Sequence, residues 1–395
     1  MPEHEVITLL KRLVSIPSVN PGHTDDVSVS GEMRLAEYLA EWLEARGFAL
    51  SWDMVEPGRP NLIASYGPDT PKHTLLLESH LDTVGEDGMT IKPFDPLVRE
   101  GRIYGRGACD TKGPMAAALC AFRPPVLERL AEAGVRLLFV GAMGEEKGNI
   151  GAERLVEQGW SADEAIILEP TELAAVNGHK GIFWFQLTVH GISAHGSNPD
   201  RGRSAILGMM QVIDQLQKQI ARKREQCANT EMGLPTLNIG FIEGGTAVNV
   251  VPNRCTIEVD RRLVIGESGE QTRKEIREVL QRLADRGVIQ SYDLETIKEG
   301  PPFRTAPESA LIGRFDRVCR EFNVTPRMES AAWYSDAGAI SRICSSVVVF
   351  GPGSIKQAHT NDEYIVMDEL LKGHDILARY LERFAEEMEN MQGDR

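Results

Sequence analysis

Three short apolar runs in this chain each stop at residues that can hold a metal or move a proton. Leu75-Leu76-Leu77-Glu78-Ser79 ends in His80-Leu81-Asp82, residues 135–142 (VRLLFVGA) end in Gly144-Glu145-Glu146, and residues 165–168 end in Glu169-Pro170-Thr171. Apolar runs this short, with little polar alternation, are typical of strands covered on both faces, as in parallel sheets. In open α/β sheets ligands bind beyond the carboxyl ends of the strands. One such ending could be chance, but three predict a shared sheet edge that carries chemistry.

Two further segments supply partners. The turn Gly105-Arg106-Gly107-Ala108-Cys109-Asp110 presents a carboxylate where few bulky side chains crowd it. A fourth apolar run, 345–350, opens through Gly351-Pro352-Gly353 into Ala358-His359-Thr360-Asn361-Asp362-Glu363. The collected groups are His80, Asp82, Asp110, Glu145, Glu146, Glu169 and His359. Alone, His80 reads equally well as a hydrogen-bonded core histidine and Glu145-Glu146 as a solvated loop pair; it is the company that makes them a site. Two imidazoles with several carboxylates suit zinc, cobalt or manganese, with too much nitrogen for calcium and too little sulfur for an iron–sulfur cluster. Two ions sharing one carboxylate is the natural count.

The rest of the pattern is α/β. Apolar residues at helical spacing predict helices over 4–16 and 30–45, the second with Ser30 as its cap, and strands over 50–55, 61–66 and 74–79. A long irregular loop is predicted from Asp82 to Gly101. The helix opening near Gly113 should kink or break at Pro124-Pro125, because proline lacks the helical donor and clashes with the preceding turn. From about Gly181 the order changes to strand, helix, strand, strand, helix, strand, the βαββαβ order of a ferredoxin-like unit. In its first helix, 203–221, Ile206, Met210, Ile213, Leu216 and Ile220 fall on one face. Two domains result: residues 1–180 and 300–395 as one, and an insert at 181–299.

Composition excludes several function classes. A formal net charge of -15 opposes phosphate-backbone binding, which needs a basic surface; Arg222-Lys223-Arg224 beside Glu225 reads as a solvated helix face. Gly105-x-Gly107 lacks the third glycine of a dinucleotide fingerprint, and no Gly-x-x-x-x-Gly-Lys occurs. No run of about 18 apolar residues is present to span a membrane. Six scattered cysteines, with no basic, apolar leader in the first residues, predict a reducing cytoplasm.

The motifs SHLDTV, GRGACDTKG, GEE, EPT, SAHGSNPDRGRSAI and GPG followed by AHTNDEYI occur in that order. Over nearly its full length the chain resembles the two-metal amidohydrolases and peptidases that include acetylornithine deacetylase, succinyl-diaminopimelate desuccinylase, aminoacylase and carboxypeptidase G. The resemblance implies a zinc-peptidase-like catalytic domain with a mixed central sheet and an inserted lid or dimerisation domain. It implies that Asp110 bridges two divalent metals, with His80 and Glu169 on one and Glu146 and His359 on the other. Asp82 would orient His80 by accepting its other ring proton, and Glu145 would be the general base. His195 would stabilise the oxyanion, commonly across a homodimer formed through the insert. Lys180, Asn249, Arg262, Gly351 and Gly353 would contact substrate; the lesser reading of Arg262 is a partner of Asp260 or a neighbour. The implied reaction is hydrolysis of an N-acyl amino acid by metal-activated water, as in acetylornithine deacetylase. The alternatives are a dipeptidase or carboxypeptidase with the same metals, and a binding relative that has lost catalysis. Small residues depart from the family pattern at Ser79, Gly85 and Cys109.

Overall fold

The computed structural model describes residues 4–227, 231–324 and 328–393. The chain forms two compact units, one of Met1–Gly178, Thr305–Glu329 and Ser335–Arg395, the other of His179–Arg304 and Ser330–Tyr334.

The first unit is built on a mixed sheet. Its spatial order runs Ala49–Glu56, Arg59–Tyr66, Val135–Ala142, His73–His80, Glu164–Ile167, Val347–Val349, Ala175–His179. The four strands from Val135–Ala142 to Val347–Val349 are mutually parallel and the flanking ones antiparallel. Register brings their carboxyl ends together: His80 lies opposite Ala142, and Ile167 pairs with both Glu78 and Val349. The segments carrying Glu145, Glu146, Glu169 and Gly351 therefore leave the sheet at the same edge as His80.

The helix Lys112–Ala121 (KGPMAAALCA) is buried at all ten positions, which its run of small apolar residues permits, since a helix apolar all round has no solvent face. The Met367–Gly393 and Glu5–Val14 helices pack against it. A continuous core joins these helices to the sheet, with Phe122, Phe139, Phe315, Phe350 and Phe384 among its largest members.

The second unit is a four-stranded antiparallel sheet in the order Thr236–Gly244, Arg254–Leu263, Gly181–His190, Ser291–Gly300. The helices Ala205–Gln226 and Gly269–Asp285 supply its core with Met209, Val212, Leu216, Ile276, Val279 and Leu280. Ser204 and Ser268 cap these helices by accepting the N–H groups of Leu207 and Gln271. A mixed α/β sheet and a ferredoxin-like unit are the class the pattern predicts.

Several local expectations change. The second helix starts at Met33, after Glu32 rather than Ser30; Ser30 instead bridges Val19. The break expected at Pro124-Pro125 is present: the Lys112–Ala121 helix stops before them, and they occupy the first turn of a new helix, Pro124–Glu132, where a missing N–H costs nothing. The loop after Asp82 contains a short strand, Leu97–Arg99, paired with Arg102–Tyr104. In Ala205–Gln226 the buried face is Ala205, Met209, Val212, Leu216 and Ile220. Ile206, Leu207 and Met210 face solvent.

Candidate metal centre

Asp110 sits at the middle of the sheet edge. Its Oδ1 lies 3.1 Å from His80 Nε2 and its Oδ2 lies 3.4 Å from His359 Nε2. On the far side His359 Nε2 meets Glu146 Oε2 at 3.0 Å. Two donor groups result, His80–Asp110–Glu169 and Asp110–Glu146–His359, each with ligand atoms within 4.8 Å of one another. Two ligands about 2.0–2.2 Å from one ion span roughly 4.4 Å at most, so a slight contraction would close each group on a cation. The shared member is Asp110, and each of its oxygens faces a different imidazole.

The electrostatics ask for cations. Burial, then the Asp110 charge, push Glu146 up to about 7 and Glu169 well above the usual carboxylate range. Burial also raises Asp110, but hydrogen bonds from His359 and His80 outweigh it and leave it low. Hydrogen bonding to Asp110 and Glu146 raises His359 to about 10. Burial works against a charged His80, yet Asp110 and Asp82 hold its pKa well above the usual imidazole range. Nitrogen and carboxylate donors this crowded fit two divalent ions of the zinc, cobalt or manganese kind.

Hydrogen bonds from the surrounding shell hold several of these groups. His80 Nδ1 contacts the Asp82 carbonyl at 2.9 Å, and the Asp82 carboxylate, expected as its partner, lies at 3.5 Å. That carboxylate instead accepts the backbone N–H groups of Glu145 and Glu146 at 3.0 and 3.1 Å, and Asn20 Nδ2 at 2.7 Å. Asp82 thus ties the histidine strand to the Glu145-Glu146 loop. Glu146 Oε1 accepts the Val84 N–H.

Other shell residues carry no motif that assigns them a role. Glu363, fully buried, accepts the N–H groups of Gly107, Cys109 and Asp110 and the Arg106 guanidinium, all at 2.8–3.0 Å. It fixes the turn that aims Asp110. Asn149 Nδ2 donates to Glu145 Oε1 at 2.9 Å and to Asp336 Oδ1 at 2.7 Å. Burial, followed by the Glu145 charge, pushes Asp336 up to about 7. The one legible signal among these groups was Glu78, a carboxylate inside an apolar strand; burial and Asp336 raise it well above its usual range.

Gly351 and Gly353 are buried beside the centre. A side chain at Gly351 would strike the Glu169 carbonyl at 2.6 Å, and one at Gly353, where φ is +98°, would strike Cys109 Sγ at 2.7 Å. Close packing accounts for both glycines.

The remaining candidates belong to the second unit. His195 is exposed, and its Nδ1 accepts the Ser197 N–H at 3.2 Å, which places the proton of a neutral ring on Nε2. The Gly196 N–H donates to the Asn249 carbonyl at 2.7 Å, and a side chain at Gly196 would lie 3.0 Å from that backbone. His195 and Asn249 are therefore tied together. Lys180 is buried and donates to the Leu234 carbonyl at 2.7 Å; burial, then Arg262, lowers its pKa. Arg262 pairs with Asp260 at 2.9 Å.

Comparison with known proteins identifies the family. Residues 76–383 match the model of the peptidase family M20/M25/M40, and the chain belongs to that family of metal-dependent amide hydrolases. It is 29% identical to acetylornithine deacetylase of Myxococcus xanthus over 91% of this chain and 94% of that one. Its identity to acetylornithine deacetylase of Proteus mirabilis is also 29%, over 96% of each chain. Among solved structures it resembles the M20 family metallo-carboxypeptidase Sso-CP2 of Sulfolobus solfataricus. That match has a TM-score of 0.77 and 20% identity, and covers 97% of this chain and all of that one. No helix of the described residues is long and apolar enough to cross a membrane.

Proposed function

We propose that this protein is an N-acyl amino acid deacylase of the acetylornithine deacetylase type, acting with two divalent metals. The observation that carries the reading is Asp110, whose two oxygens face His80 at 3.1 Å and His359 at 3.4 Å, with Glu169 and Glu146 completing the two groups. Both curated relatives support the choice of an acylated amino acid over a dipeptide.

In this reading His80, Asp110 and Glu169 hold one ion and Asp110, Glu146 and His359 the other. Zinc is the preferred metal, with cobalt or manganese as substitutes. Bound divalent ions supply Lewis-acid polarisation of the amide carbonyl and acidify water. Glu145 takes the proton of the attacking water and returns it to the leaving amine. Asp82 orients His80 and the Glu145 loop together. His195 donates a hydrogen bond from Nε2–H to the developing oxyanion. Lys180, Asn249 and Arg262 read the substrate, Arg262 by exchanging Asp260 for a substrate carboxylate, and the Gly351–Gly353 turn shapes the metal end. The scattered spacing of the six cysteines supports a cytoplasmic enzyme.

The test is a panel of N-acetylornithine, N-succinyl-diaminopimelate, other N-acyl amino acids and dipeptides. It is run after chelation and again with zinc, cobalt or manganese restored. Chelated protein is expected to be inactive, restored protein to favour an N-acyl amino acid. Dominant turnover of dipeptides overturns the deacylase assignment.

The proposed assembly is a homodimer through the second unit. Leu207 and Met210 on the Ala205–Gln226 helix are 64% and 60% exposed, and Phe241 and Ile242 on the neighbouring edge strand 44% and 58%. Exposed apolar side chains on a helix and on an edge strand of the same unit are what a second copy would cover. Light scattering is expected to give the mass of two chains for the native protein and of one chain for the L207E/M210E variant. A monomeric native protein with full activity refutes both the dimer and a shared site.

A further inference from the structure

We infer that Asn149 is a positioning residue for Glu145, clamping the carboxylate that the proposed mechanism uses as its base; the inference rests on that mechanism.

The loop between the Val135–Ala142 strand and the Ile150–Glu157 helix is anchored at both ends. Asn61 accepts the Met143 N–H at 3.0 Å and donates to the Gly151 carbonyl at 2.9 Å, and the Gly151 N–H returns to the Met143 carbonyl at 2.9 Å. A side chain at Gly151 would meet Asn61 and Met143 atoms at about 2.5 Å, so the closure has no slack. The Asp82 carboxylate fixes the backbone of Glu145 and Glu146 from the other side. With the main chain held, the freedom left to Glu145 lies in its own rotatable bonds.

Asn149 acts on that freedom. It is 1% exposed and its amide nitrogen has two hydrogens, one directed at Glu145 Oε1 and the other at Asp336 Oδ1. Both neighbours are carboxylates, so the amide can only present its NH2 side to them; its own Oδ1 is buried without a hydrogen-bond partner among the described residues. Accepting that cost makes sense where an N–H pair between two carboxylates is what the site needs. The residue also stands at φ +55° and ψ +33°, in the left-handed region that asparagine enters more readily than most residues. Aspartate would oppose two carboxylates here, and glycine would keep the backbone but lose the amide. Asp336, 1% exposed, is the fixed end of the clamp, and Glu145 is the end that meets the chemistry.

The test is Asn149→Gly, which relaxes the backbone rather than straining it. The holoenzyme is assayed with the N-acyl amino acid that the native protein turns over fastest, and metal content is measured alongside. We expect kcat to fall about 10-fold or more, the scale of a misplaced catalytic group. KM should stay within about twofold and metal content should be unchanged. In the E145Q background the same substitution should change kcat by less than about twofold, because a residue that works only through Glu145 has nothing left to position. A merely structural residue would lower both backgrounds alike and lower the melting temperature. An N149G kcat within about twofold of native, alongside a crippled E145Q, overturns the positioning role and leaves the mechanism standing. Additive loss in the double variant overturns it too. Full turnover by E145Q overturns the mechanism and the inference together.

Discussion

Glu145→Gln is expected to lower kcat by at least ~100-fold, the lower end of what general-base catalysis contributes, while both metal equivalents stay bound. The substitution preserves shape, and Asn149 can still donate to the remaining side-chain oxygen that now stands at Oε1. The backbone N–H of Glu145, which donates to Asp82 Oδ1 at 3.0 Å, is untouched, as is that of Glu146. The variant therefore removes proton acceptance and little else. No metal donor is lost, since Glu145 lies outside both donor groups. Metal analysis and steady-state kinetics on the same preparation check this. Turnover equal to the native protein would exclude Glu145 as the base. Loss of metal along with activity would show instead that Glu145 helps hold the ions. A native protein that binds N-acyl amino acids but turns none over would favour a binding relative.

What was legible in the sequence follows from what recurs along it. Strand cores such as Leu75–Leu77 and residues 135–142 announce themselves through continuous apolar character, and His80, Glu146 and Glu169 stand within a few residues of a strand end. Register then makes the edge: once His73–His80 pairs in parallel with Val135–Ala142 and Glu164–Ile167, His80, Glu145, Glu146 and Glu169 must emerge together. The clamps were not legible because they act between segments far apart in the chain. Asn20 reaches Asp82, Asn149 reaches Asp336, and Glu363 reaches the turn before Asp110. A polar residue in a loop has no periodicity, and its partner is set by tertiary packing. The Ala205–Gln226 helix shows a second limit. Apolar residues occupy more than one of its faces, so spacing alone did not separate the core side at Met209 and Val212 from the exposed side at Leu207 and Met210.

The Glu363→Gln variant is expected to be destabilised by about 3–5 kcal/mol, the cost of breaking a buried ion pair by removing one partner, and to bind metal about 10- to 100-fold more weakly, as loss of a ligand's support does. Oε1 of Glu363 accepts the N–H groups of Cys109 and Asp110; Oε2 accepts that of Gly107 and the Arg106 Nη1. All four partners donate, so glutamine must turn its NH2 toward two of them whichever way the amide is placed. If the NH2 faces Arg106, the guanidinium, 2% exposed, loses its carboxylate; if it faces Asp110, the backbone that aims the shared ligand loses its anchor. Burial pushes the Glu363 carboxyl up, while Arg106 and the backbone donors act to keep it ionised. The damage reaches the metals because Asp110 belongs to both donor groups, so a shift of its backbone moves both at once. Urea unfolding of chelated protein separates the fold term from the metal term, and zinc titration with a competing chelator measures the second. Weaker metal binding without a change in unfolding would make Glu363 a tuner of the centre alone. Native behaviour in both would mean that the Asp110 turn holds its shape without it.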